Sequence, residues 1–160
     1  MRWLLHLLTR EDPEPSTIAT LESLDVGEAV DVTGTIELLD EGLRNPLDGE
    51  PAVALHYEIT PRRYGDYHVP VSFECYQGAS FLLRDATGVA VVEIEAGEDV
   101  AAFHRHHVEV YGAGNPTTVE QMGPGDRVRV RGHIRARADP RAATEAERAC
   151  VIGADAVEHS

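Results

Sequence analysis

The chain has 160 residues, 42% of them hydrophobic and 26% charged, and carries a formal charge of −14. That length suits one domain with a proper buried core, while the acidic balance argues against general affinity for nucleic acid or anionic lipid, whose phosphates are bound mainly by Arg and Lys. All 14 basic residues are arginine, as a GC-rich genome would give, so Schiff-base catalysis by an internal lysine is excluded.

Residues 1–15 read as an N-terminal extension and linker, ahead of one domain over residues 16–160. The opening Met1–Leu8 is apolar but stops at Thr9-Arg10-Glu11-Asp12-Pro13, without a full h-region or a small-x-small cleavage site. Trp3, Leu4, Leu7 and Leu8 share one face of a helical turn. We read that face as a cover for one end of the fold, in preference to a weak membrane-surface contact. No segment approaches the ~20 apolar residues that span a bilayer. The expectation is a cytoplasmic protein.

Residues 11–16, Glu11-Asp12-Pro13-Glu14-Pro15-Ser16, read as a rigid polar connector, and Ser16 or Thr17 can cap a short helix through Leu24, with Ile18, Leu21 and Leu24 as its apolar face. Gly27 ends it. Strands follow. Val30, Val32 and Ile36 alternate with polar residues, and Gly34 reads as a bulge. Val53, Leu55, Tyr57 and Ile59 alternate, and so do Val69, Val71, Phe73 and Cys75. Phe81–Leu83 and Val89–Ile94 flank the hairpin turn Asp85-Ala86-Thr87-Gly88. Val108–Tyr111 reads as another strand. Val128, Val130, Ile134 and Ala136 alternate with arginines, and Ala149–Ile152 is a short segment that could close the sheet. The segments 38–52, 60–70 and 112–124 are rich in Gly and Pro and read as loops, where binding residues tend to sit.

One internal echo stands out. Gly27-Glu28-x-Val30-x-Val32-x-Gly34-x-Ile36 matches Gly125-Asp126-x-Val128-x-Val130-x-Gly132-x-Ile134. Two copies are too few for a solenoid. Small Greek-key barrels need bent strands at their corners, so the echo suggests two equivalent bent strands of one OB-like barrel.

Cys75 and Cys150 are too few for a disulfide scaffold or for an eight-ligand RING zinc site. They read as reduced and buried, with a single disulfide between them as the alternative. Three clusters carry candidate chemistry. In the turn around Pro46, Asp48 and Gly49, Arg44 offers a planar fork of donors, either to an anion or to loop carbonyls and an acidic neighbour such as Asp85. Arg127, Arg129, Arg131, His133, Arg135 and Arg137 fall on one face of a strand. They resemble a polyanion track, but the chain is acidic, the equivalent strand offers Asp31 and Glu37, and no aromatic stacking platform interleaves them. A face paired with acidic neighbours, or a docking surface for an acidic partner segment, is the better reading. His104-x-His106-His107 could ligate a metal, although the run is not a recognised spacing. A polar loop or helix end is the plainer reading. No G-x-S-x-G, H-E-x-x-H, P-loop or G-x-G-x-x-G occurs.

Two further segments carry a family likeness. Leu43-Arg44-x-Pro46-Leu47-x-Gly49-x-Pro51, followed by the Tyr57 strand, and Phe81-Leu82-Leu83-x-Asp85-x-Thr87-Gly88-x-Ala90-x-Val92 together resemble the signatures of the GIDE-type, or beside-a-membrane, domain. Gly125-Asp126-x-Val128-x-Val130-x-Gly132 resembles its closing strand. That domain occurs in membrane-bound ubiquitin ligases of mitochondria and plastids and in uncharacterised bacterial proteins. The family often has Ser at the place of Asn45 and Cys at that of Ala52, and an Asp-Pro pair where Glu93-Ile94 stand. Its flanking transmembrane helices and RING have no counterpart here, so ubiquitin transfer is not implied. The resemblance implies the accessory β domain alone.

The combined expectation is a mainly β fold, an OB-like Greek-key barrel with a short N-terminal helix. Its function is expected to be a non-enzymatic module binding a protein partner or small ligand through Arg44, Asn45, Asp48, Asp85 and Thr87, with no cofactor. The alternatives are a nucleic-acid or polyanion binder using Arg127, Arg129, Arg131, Arg135 and Arg137, and a metal-dependent enzyme using His104, His106 and His107.

Overall fold

The structure, a computed structural model, describes residues 2–4, 16–62 and 71–160. In chain order the elements are β1 (Arg2–Leu4), α1 (Ile18–Leu21), β2 (Ala29–Leu38), β3 (Leu43–Arg44), β4 (Pro51–Ala52), β5 (Ala54–Ile59), β6 (Phe73–Gly78), β7 (Phe81–Asp85), β8 (Gly88–Glu93), α2 (Val100–Tyr111), β9 (Thr117–Met122), β10 (Arg127–Ala136), α3 (Glu145–Arg148) and β11 (Val151–His159). The protein is mainly β. Among the described residues no helix is long and apolar enough to cross a membrane.

The larger sheet runs β1-β11-β10-β2-β7-β8, antiparallel at each of these pairings, and β11 also pairs in parallel with β8 through Val151↔Val91 and Ile152↔Val92. Period-two alternation sends Val30, Val32, Ile36, Leu83, Val128, Val130, Ile134 and Ile152 to one side, where they form the main core with Phe81 and Ile18. A second sheet, β6-β5-β9, is carried between the strands of the first. Helix α2 packs on its β5 and β6 strands over a separate cluster of Leu55, Tyr57, Ile59, Cys75 and Val100. Short β3 and β4 pair as a hairpin of their own.

The two echo segments are β2 and β10, and they pair with one another. Val32 lies opposite Val130, Gly34 opposite Val128, and Val30 opposite Gly132. The flanking bonds repeat about the same centre. Gly27 N–H donates to the Ile134 carbonyl at 2.8 Å, and Gly125 N–H to that of Ile36 at 2.9 Å. Ile134 N–H donates to Glu28 at 3.0 Å, and Ile36 N–H to Asp126 at 2.9 Å. The repeat is thus a local two-fold built into the middle of the sheet. It also explains the paired glycines. A Cβ on Gly34 would stand 2.7 Å from the Arg84 carbonyl oxygen of β7, and one on Gly132 only 2.1 Å from that of Gly153 in β11.

Several expectations are corrected. The β2–β10 register is continuous through Gly34; the irregularities fall in β10–β11, at Arg131/Gly132 and at Ile134/Ala136. Val108–Tyr111 is not a strand but the last turn of α2. Asp99 caps that helix by accepting from the Ala102 N–H at 3.1 Å, and Gly112, at φ +84°, ends it. Val100, Phe103, His107 and Tyr111 recur at helical spacing, so four residues of apparent alternation lose to a twelve-residue amphipathic helix. The loop reading of 38–52 and of 112–124 yields to β3, β4 and β9. Helix α1 stops at Leu21, three residues before Leu24, and its N-cap Thr17 makes no side-chain cap bond. The 69–75 strand begins only at Phe73, since Val71 is exposed and outside β6, while Val69 lies outside the described residues. The last strand is nine residues rather than four. Trp3 and Leu4 have strand backbone, paired with Val157 and Ala156, and so do not share a helical face; Leu7 and Leu8 lie outside the described residues. Cys75 and Cys150 are free thiols in different clusters, so the disulfide alternative fails.

Candidate functional site

The first signature turn is held from within. Buried Asn45 donates its amide to Gln121 Oε1 at 2.8 Å, and its own Oδ1 accepts the Leu47 N–H at 2.8 Å. Asp48 Oδ1 accepts the Glu50 N–H at 2.8 Å, and Arg44 donates to the Gly49 carbonyl at 3.2 Å. Gly49 sits at φ +77°, which a glycine adopts without penalty. Arg44 therefore bonds a loop carbonyl, and Asp85 is not its partner.

Asp85 serves a different neighbour. It takes four hydrogen bonds: Oδ2 accepts from Ile18 N–H at 2.9 Å, and Oδ1 from Thr87 N–H at 2.7 Å, Thr87 Oγ1 at 2.6 Å and Gly88 N–H at 3.0 Å. Thr87 Oγ1 in turn accepts the Ala19 N–H at 3.0 Å. The β7–β8 turn thus supplies, from across the fold, the cap that Thr17 does not give α1. Burial alone would raise the Asp85 pKa, but the bonds from Thr87, Ile18 and Gly88 outweigh it and hold the carboxyl below its ordinary range.

The basic row of β10 is largely neutralised. Arg129 pairs with Asp31, Arg131 with Glu158 at 3.1 Å, His133 with Asp155 at 2.9 Å, Arg135 with Glu93 at 3.2 Å, and Arg137 with Asp25 at 3.5 Å. Arg127 is exposed and has no carboxylate partner among the described residues.

The three histidines diverge on α2. His104 Nδ1 meets the Tyr57 hydroxyl at 2.7 Å. His107 is buried, bonded through Nδ1 to the Phe103 carbonyl at 2.8 Å and stacked on Phe103 with centroids 4.1 Å apart. His106 is exposed and meets His107 edge-on. Among the described residues no three His, Cys, Asp or Glu side chains are grouped to hold a metal ion. Burial pushes the Tyr57 phenol up, against a Thr117 hydrogen bond and with the neighbouring Cys75 adding to the rise.

An open groove of about 1100 Å³ runs over the outer side of β2, floored by Thr33 and Thr35 and walled by Arg84, Asp85, Thr87 and Arg127. Thr35 lies opposite Arg84 on β7 and opposite Arg127 on β10, so the three side chains form one row across the sheet. Arg84 is held by Glu37 and, at 2.5 Å, by Glu145, and these hydrogen bonds raise its pKa further. No protein-family model matches this chain, and no curated protein matches it. Of the residues expected to form one contact surface, Asp85 and Thr87 line the groove, while Arg44, Asn45 and Asp48 belong to the β3–β4 turn. The register-dependent members Thr33, Thr35 and Arg84 went unread. Their one sequence signal is outward alternation beside buried residues, which every half-buried strand shows.

Proposed function

We propose that this chain is a non-enzymatic, cytoplasmic interaction module of the GIDE-like type, built on an OB-like barrel and acting through the groove over β2. The barrel reading rests on the order of pairing: β2, β7, β8, β11 and β10 each pair with the next, and β10 returns to β2. Five strands in that ring, with β5 and β6 inserted after β2 and α2 and β9 inserted after β8, suit a small Greek-key barrel carrying two enlarged connections. The observation that carries the function is the groove itself, concave and mixed in polarity, where residues of the second signature meet Arg127, which has no carboxylate partner among the described residues. The other groups with most chemistry hold structure: Asp85, at the groove wall, caps a helix, and away from the groove His104 and Tyr57 bond each other and His107 fills an aromatic stack. The polyanion reading loses support because four of the five arginines in its track already face carboxylates.

The test is recovery of partners on the tagged chain from its native host, beside Thr35→Trp and Arg44→Ala. Thr35 is a half-exposed strand residue, and tryptophan there fills the groove floor. The expected result is a specific partner lost with Thr35→Trp and kept with Arg44→Ala. A partner retained by Thr35→Trp, with an unchanged melting temperature, overturns the groove as the contact site.

A further inference from the structure

We infer that the groove takes a carboxylate-bearing segment of another protein, received by Arg127 over the Thr35 floor; this rests on the groove reading above. The argument begins with charge. The chain holds 28 acidic residues against 14 arginines, so a carboxylate is the most abundant charged partner any arginine could find. Arg129, Arg131, Arg135 and Arg137 each find one. Arg127 finds none among the described residues, and of these five it alone lines the groove.

The register then fixes what faces the groove. Arg84 and Arg127 flank Thr35 on either side, with their backbones about 10 Å apart, twice the spacing of neighbouring strands. Arg84 is committed to Glu37 and Glu145, which makes it a fixed wall rather than a free hand. Asp85 is saturated by its four donors. Within the Arg84–Thr35–Arg127 row the uncommitted groups are therefore the Arg127 guanidinium and the Thr35 hydroxyl, and Thr33 adds a second hydroxyl along the floor. A planar fork beside a hydroxyl suits the two oxygens of a carboxylate. A single cation in an acidic chain does not suit a polyanion, whose affinity grows with the number of phosphates neutralised. The two carboxylates of the lining, Glu37 and Asp85, are already bonded to Arg84 and to the α1 and turn donors, so one acidic side chain within an otherwise polar or apolar segment matches the one uncommitted cation and the mixed lining.

The experiment is selection of a displayed random decapeptide library on the wild-type protein, Arg127→Ala and Thr35→Trp at low salt. Arg127 is exposed and contributes only backbone to the sheet, so its alanine variant should fold; thermal melting checks this. The expected result is wild-type binders enriched several-fold in Asp and Glu over the starting library, with that enrichment abolished in Arg127→Ala. Binders without acidic enrichment, or with the same enrichment in Arg127→Ala, overturn the carboxylate inference; if those binders still vanish in Thr35→Trp, the groove reading survives. Binders indifferent to Thr35→Trp overturn both. A further arm replaces Glu11, Asp12 and Glu14, which precede the groove residue Ser16 in sequence, by glutamine. Acidic peptides selected only by that variant would assign the site to the chain's own carboxylates and overturn the outside partner.

Discussion

Asp31 and Arg129 occupy the same position in the two halves of the echo and bond each other across its centre. Each lies one residue before the facing valines Val32 and Val130, so the repeat sets them diagonally on one face. The contact is two-pronged, with Arg129 Nε to Asp31 Oδ1 at 2.8 Å and Nη2 to Oδ2. Asp31 is 1% exposed, whereas its arginine is partly open to solvent. One half of the repeat thus supplies the anion and the other the cation, so the echo matches strongly in its apolar residues and diverges where the charges meet.

Removing the cation leaves a buried carboxylate without its bidentate partner. Arg129→Ala should therefore cost about 3 kcal/mol, while the double replacement Asp31→Val with Arg129→Met should cost much less, because no charge is then stranded. Urea unfolding of both variants checks this. Equal losses would mean that the stranded Asp31 charge is not what makes the single replacement costly.

Asp85 gives a pH-dependent prediction. Its carboxyl is lowered in the folded state, so the stability it adds is present above the unfolded value of about 3.9 and is lost as pH falls through the folded value. Asp85→Asn keeps an acceptor but loses the charge. It should unfold at lower urea than the wild type at pH 6, by about 1 kcal/mol, and the deficit should shrink steadily as the pH is taken down to 2. A deficit that ignores pH would remove the charge from the account and leave only geometry.

The parts of this fold that were legible in the chain are those whose signal is local. Alternation exposed β2, β5 and β10, and the turn Asp85-Ala86-Thr87-Gly88 between two apolar runs announced the β7–β8 hairpin. Strand β9 was hidden because Thr117-Thr118-Val119-Glu120-Gln121 carries little apolar contrast; it is a strand through its pairing with β5. Helix α2 was hidden in part because short apolar runs fit either period. The site was less legible still. That Asp85 caps a helix 67 residues earlier, and that Thr35 stands between Arg84 and Arg127, are consequences of register. Period two tells which residues share a face of one strand, but not what stands beside them on the next.

The two thiols should be silent in the native protein. Burial, with Glu98 and Asp99 adding, pushes Cys75 up to about 12, and burial also raises Cys150. Only the thiolate reacts. A disulfide reagent at pH 8 should therefore label neither thiol in the native state and both in urea. Fast native labelling would show that one of them is reached by solvent.

The same groups fix the sign of the alkaline limb. A thiol raised in the folded state holds its proton where the unfolded chain has lost it, so stability is complete below the unfolded value of about 8.5 and declines as pH rises toward the folded one. Cys75→Val removes that group while keeping a small apolar side chain against Tyr57, whose phenol shifts in the same direction. Its unfolding midpoint should fall less steeply between pH 8.5 and 10.5 than that of the wild type, whatever the two midpoints are at pH 7. Parallel slopes would mean that the thiol is not desolvated in the folded state.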